Sequence, residues 1–545
     1  MEAGWKDEFF FGIFQPLGTS TMTYRKPRHI WMALLFAGLL ACSNSVIKDP
    51  ATEESRSRDL EISASRGRIF DRNGEVLAVS TPMRSIWYQP GGHGPQPTLE
   101  QTRRLAELLE MEVKELEPRL ASDKFVYLKR RLPPETGDKV AALKIPGIGQ
   151  DREYRRYYPI GETTAHVVGF TDIDDKGLEG VEFAFQGQLP GHPGRDIHLA
   201  LDSKIQHIAY SQLKQAVKNF KAQTGSVVVA DARTGEILAL ANWPGYNPNN
   251  REYLKGEQLR NRAVTDTYEP GSVMSPFTAA LALETGKVRF DTVINTAPGR
   301  LTIGNATISD SHSHGPLTVT QVIQKSSNVG MAKIAALLTP EKTWQMYKAI
   351  GLRQAPGLGF PGEASGRLQP WKSWRPIEQA TLSYGQGLSV SLMQLARAYT
   401  VFAREGDIIP LTLTRSDGTP VRASPVFSQQ TVREMRAMLE IATQPGGTAP
   451  KARVPGYRTG GKSSTAYKIK GGQYVKKYVA SFVGFAPVSD PRLIVAVMID
   501  EPSSGEHYGG DVAGPVFSQV MGGALHTLGI VPDASADAGS PHRLE

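Results

Sequence analysis

The sequence predicts an α+β protein in which one antiparallel sheet packs against helices. Two β-rich runs on either side of a five-residue turn, 231–235, predict a hairpin within residues 225–241. Residues 477–486 and 492–500 predict two further strands near the end of the chain. The long stretch between them, from about 260 to 445, is largely helical in its pattern. Strands at both ends of a helical insert predict a single sheet, whose last strands come from the C-terminal part of the chain.

Composition narrows the class of protein. The chain has 545 residues, one cysteine and 40% hydrophobic residues, which favours two to four globular domains and excludes a disordered chain or a disulfide framework. No apolar run reaches 18 residues, so a protein with several membrane spans is excluded. The net charge of +8 is spread along the chain and gives no nucleic-acid signature. No residue pattern implies a metal or an organic cofactor.

One apolar run, residues 30–41, follows three basic residues and is shorter than the roughly 20 residues that span a membrane. Its length fits an export signal, which favours Met22 as the biological start, with Met1 as the alternative. Cys42 comes directly after this run and resembles the lipid-accepting cysteine of bacterial lipoproteins. The alternative is an incidental cysteine at the end of a short anchor helix. Both interpretations attach the N-terminus to a membrane and place the remainder in the periplasm.

The elements between this anchor and the sheet can be predicted in order. Residues 65–78 predict a strand, an Asn-Gly turn and a second strand. Residues 98–145 have helical patterning, residues 154–180 are rich in turns, and residues 200–220 predict a helix. The domains follow as an N-terminal extension with anchor (1–42), a linker (43–60), a first domain (61–198), a second domain (199–533) and a flexible tail (534–545).

Three short motifs in the second domain contain the candidate catalytic and binding residues. Ser272-Val-Met-Ser275 opens an apolar helix after Glu-Pro-Gly, and Ser326-Ser327-Asn328 lies at the start of another helix. Lys462-Ser463-Ser464-Thr465 is predicted to lie on a strand.

The order and spacing of these motifs resemble the penicillin-binding proteins, whose pattern is S-x-x-K, then S-x-N, then K-T-G. Neighbouring segments resemble the class B, septal branch of that family, the division-specific peptidoglycan D,D-transpeptidases. They include Arg262 to Ser272, Ser383-Tyr-Gly-Gln-Gly, and Arg66-Gly-Arg-Ile-Phe-Asp-Arg-Asn-Gly. The resemblance covers about residues 60–533. It implies an N-terminal pedestal of the dimerisation type and a C-terminal transpeptidase domain of the serine β-lactamase-like fold.

The resemblance also implies roles for individual residues. Ser272 would be the acylated nucleophile, Ser326 would relay protons, and Asn328 would hold the substrate amide. Lys462 and Ser463 would bind the substrate carboxylate, and the backbone of Thr465 would contribute to the oxyanion hole. The ligands implied are peptidoglycan stem peptides ending in D-Ala-D-Ala and β-lactams. Membrane proteins of the division machinery are the implied partners.

Three positions depart from the family pattern. Ser463 stands where the family has threonine, and this change is mild because it keeps the hydroxyl. Ser275 stands where the family has a lysine, and a hydroxyl is a very poor base at neutral pH. Ser464 stands where the family has glycine, and we expect its side chain on the strand edge along which an acyl substrate should lie.

Two hypotheses follow. The chain is either a penicillin-binding scaffold with impaired or absent transpeptidase activity, or an active transpeptidase with an unconventional base, for which Lys462 is the first candidate. Structural interpretations stay open beside these: Ser272 and Ser326 could be helix caps, and Asn328 and Lys462 could be surface groups.

Overall fold

A computed structural model of the chain describes residues 65–91, 96–191 and 194–534. The predicted signal, the candidate lipid site at Cys42 and the linker lie outside the described residues. Among the helices of the described segments, none has both the length and the apolar character needed to cross a membrane.

The strands of the described segments are β1 (Ile69–Phe70), β2 (Val76–Tyr88), β3 (Val126–Leu132), β4 (Ile148–Tyr157), β5 (Ile197–His198), β6 (Thr224–Asp231), β7 (Ile237–Trp243), β8 (Val293–Asn295), β9 (Arg300–Ile303), β10 (Ala306–Ser309), β11 (Pro316–Thr318), β12 (Asp407–Ile408), β13 (Ser424–Pro425), β14 (Gly460–Lys470), β15 (Gln473–Ala486) and β16 (Leu493–Asp500).

The α-helices are α1 (Leu99–Leu108), α2 (Val113–Leu120), α3 (Pro134–Ala142), α4 (Ala165–Val168), α5 (Gly180–Ala184), α6 (Ser203–Asn219), α7 (Gly256–Leu259), α8 (Arg262–Thr265), α9 (Ser275–Glu284), α10 (Val319–Lys325), α11 (Asn328–Ala335), α12 (Pro340–Ala349), α13 (Pro376–Leu382), α14 (Leu392–Ala398), α15 (Thr400–Ala403), α16 (Gln429–Thr443) and α17 (Gly509–Thr527).

The first sheet is built around the long strand β2, in the order β3-β2-β1-β5 with β4 also paired to β2. Strands β1 and β2 are antiparallel and are joined by the Asn73-Gly74 turn, where Gly74 has a φ of 87°. The strand–turn–strand prediction for residues 65–78 is therefore confirmed. Strand β5 pairs with β1 in parallel and brings the chain to the start of the second domain.

The prediction of helices throughout residues 98–145 was only partly correct. Helices α1, α2 and α3 lie there, but β3 interrupts them, and β4 occupies part of the stretch predicted to be turns. Leu128 and Leu132 of β3 are buried against the leucines of α1 and α2. Pairing with β2 and this shared apolar face outweigh the local helical pattern, which spans too few residues to decide between the two structures.

A buried group of three charged side chains holds the first sheet to the segment that follows it. Glu182 of α5 accepts hydrogen bonds from Arg66 Nε at 2.5 Å and from Arg156 Nε at 2.6 Å, and all three side chains are almost fully buried. Arg156 also donates to the carbonyl of Gly67 at 2.7 Å. Because each charge is paired and further hydrogen-bonded, the desolvation of the group is offset.

The second sheet has the order β14-β15-β16-β6-β7, and all of its pairings are antiparallel. It contains the predicted hairpin as β6 and β7 and the two predicted late strands as β15 and β16. Val227 and Val229 of β6 face α6 and α17, whereas Val228 and Ala230 face the helical insert. Both faces are therefore covered, and β14 lies at one edge of the sheet. The chain has the predicted α+β fold, with mixed helices and antiparallel sheet.

Removing the central carboxylate of the first domain should destabilise the fold strongly. Glu182→Gln leaves two buried guanidinium groups without their counterion, and we expect a loss of about 3–5 kcal/mol in the free energy of unfolding. The control is Glu107→Gln, which removes a surface ion pair with Arg104 and should cost less than about 1 kcal/mol. Urea denaturation measures both. Similar losses in the two variants would contradict the assignment.

Candidate active site

The three predicted motifs meet at the free edge of β14. Among the described strands, β14 pairs only with β15, which leaves its other edge without a partner strand. A 3₁₀ turn at Gly271–Met274 packs against it and leads into α9. The junction between α10 and α11 contacts the same strand through Ser326. The fold therefore assembles one cleft from segments that are far apart in sequence.

Ser272 is positioned in the 3₁₀ turn and is half-buried. Its hydroxyl has no hydrogen-bond partner among the described residues, and its carbonyl accepts from the backbone N–H of Ser275. Pro270 and Met274 occupy the N-cap positions of the turn and of α9. Ser272 is therefore not an N-cap, and its hydroxyl is left available for other chemistry.

Close backbone contacts fix this turn. Gly271 has a φ of 61°, and its N–H donates to the carbonyl of Gly385 at 3.2 Å. A Cβ at Gly385 would overlap the backbone of Gly271, and a Cβ at Gly271 would overlap the hydroxyl of Ser464. Both positions thus require glycine for space as well as for backbone conformation.

The second motif forms the α10–α11 junction. Ser326 adopts the left-handed conformation, with a φ of 59°, which costs a non-glycine residue about 1–2 kcal/mol. The neighbouring Ser327 is the residue that caps α11, because its hydroxyl accepts from the N–H of Gly330 at 2.9 Å. Asn328 is half-buried and donates from Nδ2 to the carbonyl of Ser309 at 3.2 Å. The hydroxyl of Ser326 is therefore not needed as an N-cap.

Lys462 is completely buried, so it is not a surface group. Its Nζ donates to Ser326 Oγ at 2.8 Å and to the carbonyl of Ser463 at 3.0 Å. No carboxylate of the described residues lies within ion-pair distance of this nitrogen. Burial without a counterion lowers the pKa of Lys462 to about 7. Near neutral pH, a substantial fraction of this side chain is an uncharged amine.

Two of the three hydroxyls of the third motif, those of Ser463 and Thr465, form hydrogen bonds with neighbouring segments. Ser463 Oγ donates to Thr448 Oγ1 at 2.9 Å, and Thr465 Oγ1 accepts from the N–H of Gly509 at 2.9 Å. Gly509 is the first residue of α17, so this bond attaches β14 to a helix N-terminus. The predicted contribution of the Thr465 backbone to an oxyanion hole stays a prediction.

Ser464 does not project along the strand edge, as the sequence had led us to expect. Its side chain is 4% exposed and packs against Gly271, and its Oγ has no hydrogen-bond partner among the described residues. The opposite residue on β15, Ser481, is likewise buried and unpartnered. The expectation was wrong because Ser464 shares the inward face of β14 with Lys462, two residues before it.

Ser275 is 2% exposed, and no hydrogen bond from its side chain is present among the described residues. It begins α9 and is followed by Pro276, which fits the first turn of a helix. A residue three positions after Ser272 lies on the same face. The position therefore offers Ser272 a neutral hydroxyl in a closed space.

Sequence reasoning missed two carboxylates that support the cleft. Asp310 accepts from Ser327 Oγ at 2.6 Å and from the N–H of Val329 at 2.9 Å, and so holds the start of α11. Glu269 accepts from the N–H of Gly387 at 2.8 Å and from the hydroxyl of Tyr474 at 3.0 Å. The available signal was the place of Glu269 directly before the Pro-Gly turn. Asp310 could not be recognised from the sequence, because its partners Ser327 and Val329 are 17 and 19 residues away.

Comparison with known families agrees with this geometry. The family model described as "Penicillin binding protein transpeptidase domain" matches residues 225–522, and the model described as "Penicillin-binding Protein dimerisation domain" matches residues 61–199. A protein named "Peptidoglycan D,D-transpeptidase FtsI" from Escherichia coli strain K12 is 39% identical over 540 residues, covering 93% of this chain and 91% of that protein. A protein named "Probable peptidoglycan D,D-transpeptidase PenA" from Neisseria gonorrhoeae is 42% identical over 537 residues, covering 92% of each.

Solved structures resemble the same region. The apo structure of the TP domain of Burkholderia pseudomallei penicillin-binding protein 3 matches with a TM-score of 0.58 and 52% identity, covering 62% of this chain and 98% of that one. A structure described as a peptidoglycan glycosyltransferase from Burkholderia ambifaria matches with a TM-score of 0.56 and 52% identity, covering 62% and 99%.

Neighbouring serines on β14 should respond to alanine with opposite signs. Ser464→Ala removes a buried hydroxyl without a partner, and we expect the free energy of unfolding to rise by about 1 kcal/mol. Ser463→Ala removes a hydrogen bond to Thr448, and we expect a loss of about 1 kcal/mol. Urea denaturation of the two variants measures the difference. A loss of stability in Ser464→Ala would show that its hydroxyl has a partner.

Proposed function

We propose the following function for this chain, which belongs to the class B penicillin-binding proteins. Members of this family combine a dimerisation domain with a transpeptidase domain. Its cleft binds stem peptides of septal peptidoglycan and β-lactams at the edge of β14. Acyl transfer to Ser272 is impaired, because the usual base is absent. The chain then acts chiefly as a penicillin-binding scaffold of cell-wall synthesis during division.

The observation that supports this proposal is the buried serine at position 275. The residue is buried one helical turn from Ser272 and has a hydroxyl where a base is needed. Serine is a weak nucleophile until its proton is removed. Losing a positioned general base costs on the order of 10²–10⁴ in rate. Ser275 therefore accounts for slow acylation without any damage to the rest of the cleft.

The binding side of the cleft supports retained recognition. Asn328, Ser463 and Thr465 are all present, and the side chain of each makes a hydrogen bond with a neighbouring segment. An edge strand offers unpaired backbone groups, which suits the addition of an extended peptide. Ser464 leaves that edge free, because its side chain points inward. A stem peptide ending in D-Ala-D-Ala is the ligand that we propose.

The proposal also includes the location of the protein and its partners. Residues 1–42 anchor the chain at the membrane, through a short helix or a lipid on Cys42, and residues 61–533 lie in the periplasm as a pedestal (61–198) and a transpeptidase-type domain (199–533). Membrane proteins of the division complex would be its partners. No cofactor is part of the proposal.

Restoring the base should restore the rate. In the full-length chain purified in detergent, we expect fluorescent penicillin to label the native protein slowly and Ser275→Lys about 10²–10⁴ times faster. The second-order rate of covalent labelling, read after denaturing electrophoresis, is the measurement. Ser272→Ala should abolish labelling in either background.

Ser275→Ala provides the matched control, since it keeps the buried volume and removes only the hydroxyl. It should leave the labelling rate within about twofold, because that hydroxyl has no part in proton transfer. Thermal unfolding of each variant checks that the fold is retained. Native labelling as fast as that of Ser275→Lys would refute the impairment.

A further inference from the structure

We infer that Lys462, acting through the hydroxyl of Ser326, accepts the proton of Ser272 and so supports the residual acylation of this chain. The inference rests on the proposed function, because it concerns the same cleft and the same acyl-serine. It goes further by assigning a route for the proton that does not involve position 275.

The geometry shows one hydrogen bond of this route and places the Ser272 turn against the same face of β14. Lys462 Nζ lies 2.8 Å from Ser326 Oγ, which is a direct hydrogen bond. Ser464, two residues along the same strand, packs against Gly271, the residue directly before Ser272. Residues two apart on a strand lie about 7 Å apart on one face. The Ser272 turn and Ser326 therefore both lie against the face of β14 that carries Lys462.

The left-handed backbone at Ser326 favours the same arrangement. Such strain persists only where its surroundings enforce it, and it is concentrated at functional sites. Ser327 already caps α11, and Ser326 Oγ bonds to Lys462 instead of to the helix. The left-handed backbone therefore accompanies a hydroxyl that is directed at the buried amine of Lys462.

No acidic group of the described residues that pack against β14 keeps Lys462 charged. Glu440 of α16 is paired with Arg458, and Asp511 of α17 is paired with Lys451. Asp310, before α11, accepts from Ser327 and from the N–H of Val329.

Among the described residues, none of the remaining charged or titratable groups of these elements is bonded to Lys462. The Gly271–Met274 turn carries none. The others are Lys325, bonded to the Gly446 carbonyl, Arg436, bonded to the Phe402 carbonyl, Arg433 and Glu434 in the second turn of α16, Lys333 in α11, His526 at the far end of α17, and Tyr467, Lys468, Lys470, Tyr474, Lys476, Lys477 and Tyr478 at the far end of β14 and β15.

The proton balance is complete without any added reactant. Neutral Lys462 takes the proton of Ser326 as Ser326 takes the proton of Ser272, and Ser272 Oγ forms a bond to the substrate carbonyl carbon. When the C–N bond of the substrate breaks, the Lys462 ammonium returns a proton through Ser326 to the leaving nitrogen. One ester bond is formed, one amide bond is broken, and both side chains regain their initial states.

The test is the pH profile of penicillin labelling in the full-length protein. Because burial lowers the pKa of Lys462 to about 7, the native labelling rate should fall about tenfold per pH unit below that value and level off above it. Lys462→Arg carries a guanidinium that stays charged, so we expect a loss of at least about 10²-fold and no inflection. Lys468→Met is the matched control on the same strand, since Lys468 is paired with Asp500 and Glu501. It should keep the native profile.

A small amine distinguishes proton transfer from a role of positive charge. In Lys462→Ala, added propylamine should restore labelling in proportion to its neutral form, so the restored rate should rise about tenfold per pH unit between pH 7 and 9. Rescue that follows the ammonium form, or no rescue at any pH, would overturn the inference. A flat native profile or an unchanged Lys462→Arg rate would do the same.

These outcomes separate the inference from the proposed function. If native protein is silent at every pH while Ser275→Lys is labelled, the route through Lys462 is wrong and the impaired cleft stands. If neither protein is labelled although both are folded, the proposed function itself is wrong.

Discussion

The buried amine of Lys462 is the constraint around which the cleft is arranged. Placing a lysine in the interior is costly unless it is paired or neutral. Among the described residues, the amine of Lys462 has only the oxygens of Ser326 and Ser463 as partners. Its contact with Ser326 connects the edge of the sheet to the junction of α10 and α11. The same hydrogen bond joins the two layers of the domain, and the burial of the amine lowers its pKa.

Tight backbone packing limits how the site can adapt to the change at position 275. Gly271 lies between Gly385 and Ser464, so no side chain fits at the residue directly before Ser272. With a serine at position 275, the proposed acceptance of the proton falls to Lys462 on β14 and to Ser326 between α10 and α11.

The sequence predicted the parts of the fold that local pattern determines. The β6–β7 hairpin has a clear turn between two β-rich runs, and the three motifs carry enough characteristic residues to identify the family. The strand β3 was missed, because a short run between helices takes its structure from pairing with β2. The inward direction of Ser464 was missed for a similar reason, since strand direction depends on the register with β15. The role of Asp310 in holding the start of α11 was also missed, because it depends on contacts with residues of another segment.

The pKa of a lysine is lowered in different ways in a cleft with one buried lysine and in a cleft with two. Two ammonium groups in one cleft would repel each other, so one would lose its proton partly through the charge of the other. Here position 275 is uncharged, and burial alone lowers the pKa of Lys462 from 10.5 to about 7. Between these two values the unfolded chain binds more protons than the folded one, so this residue makes stability increase as pH rises. The stabilising and reactive form of Lys462 is therefore the same neutral amine, and one condition favours both the fold of the cleft and its chemistry.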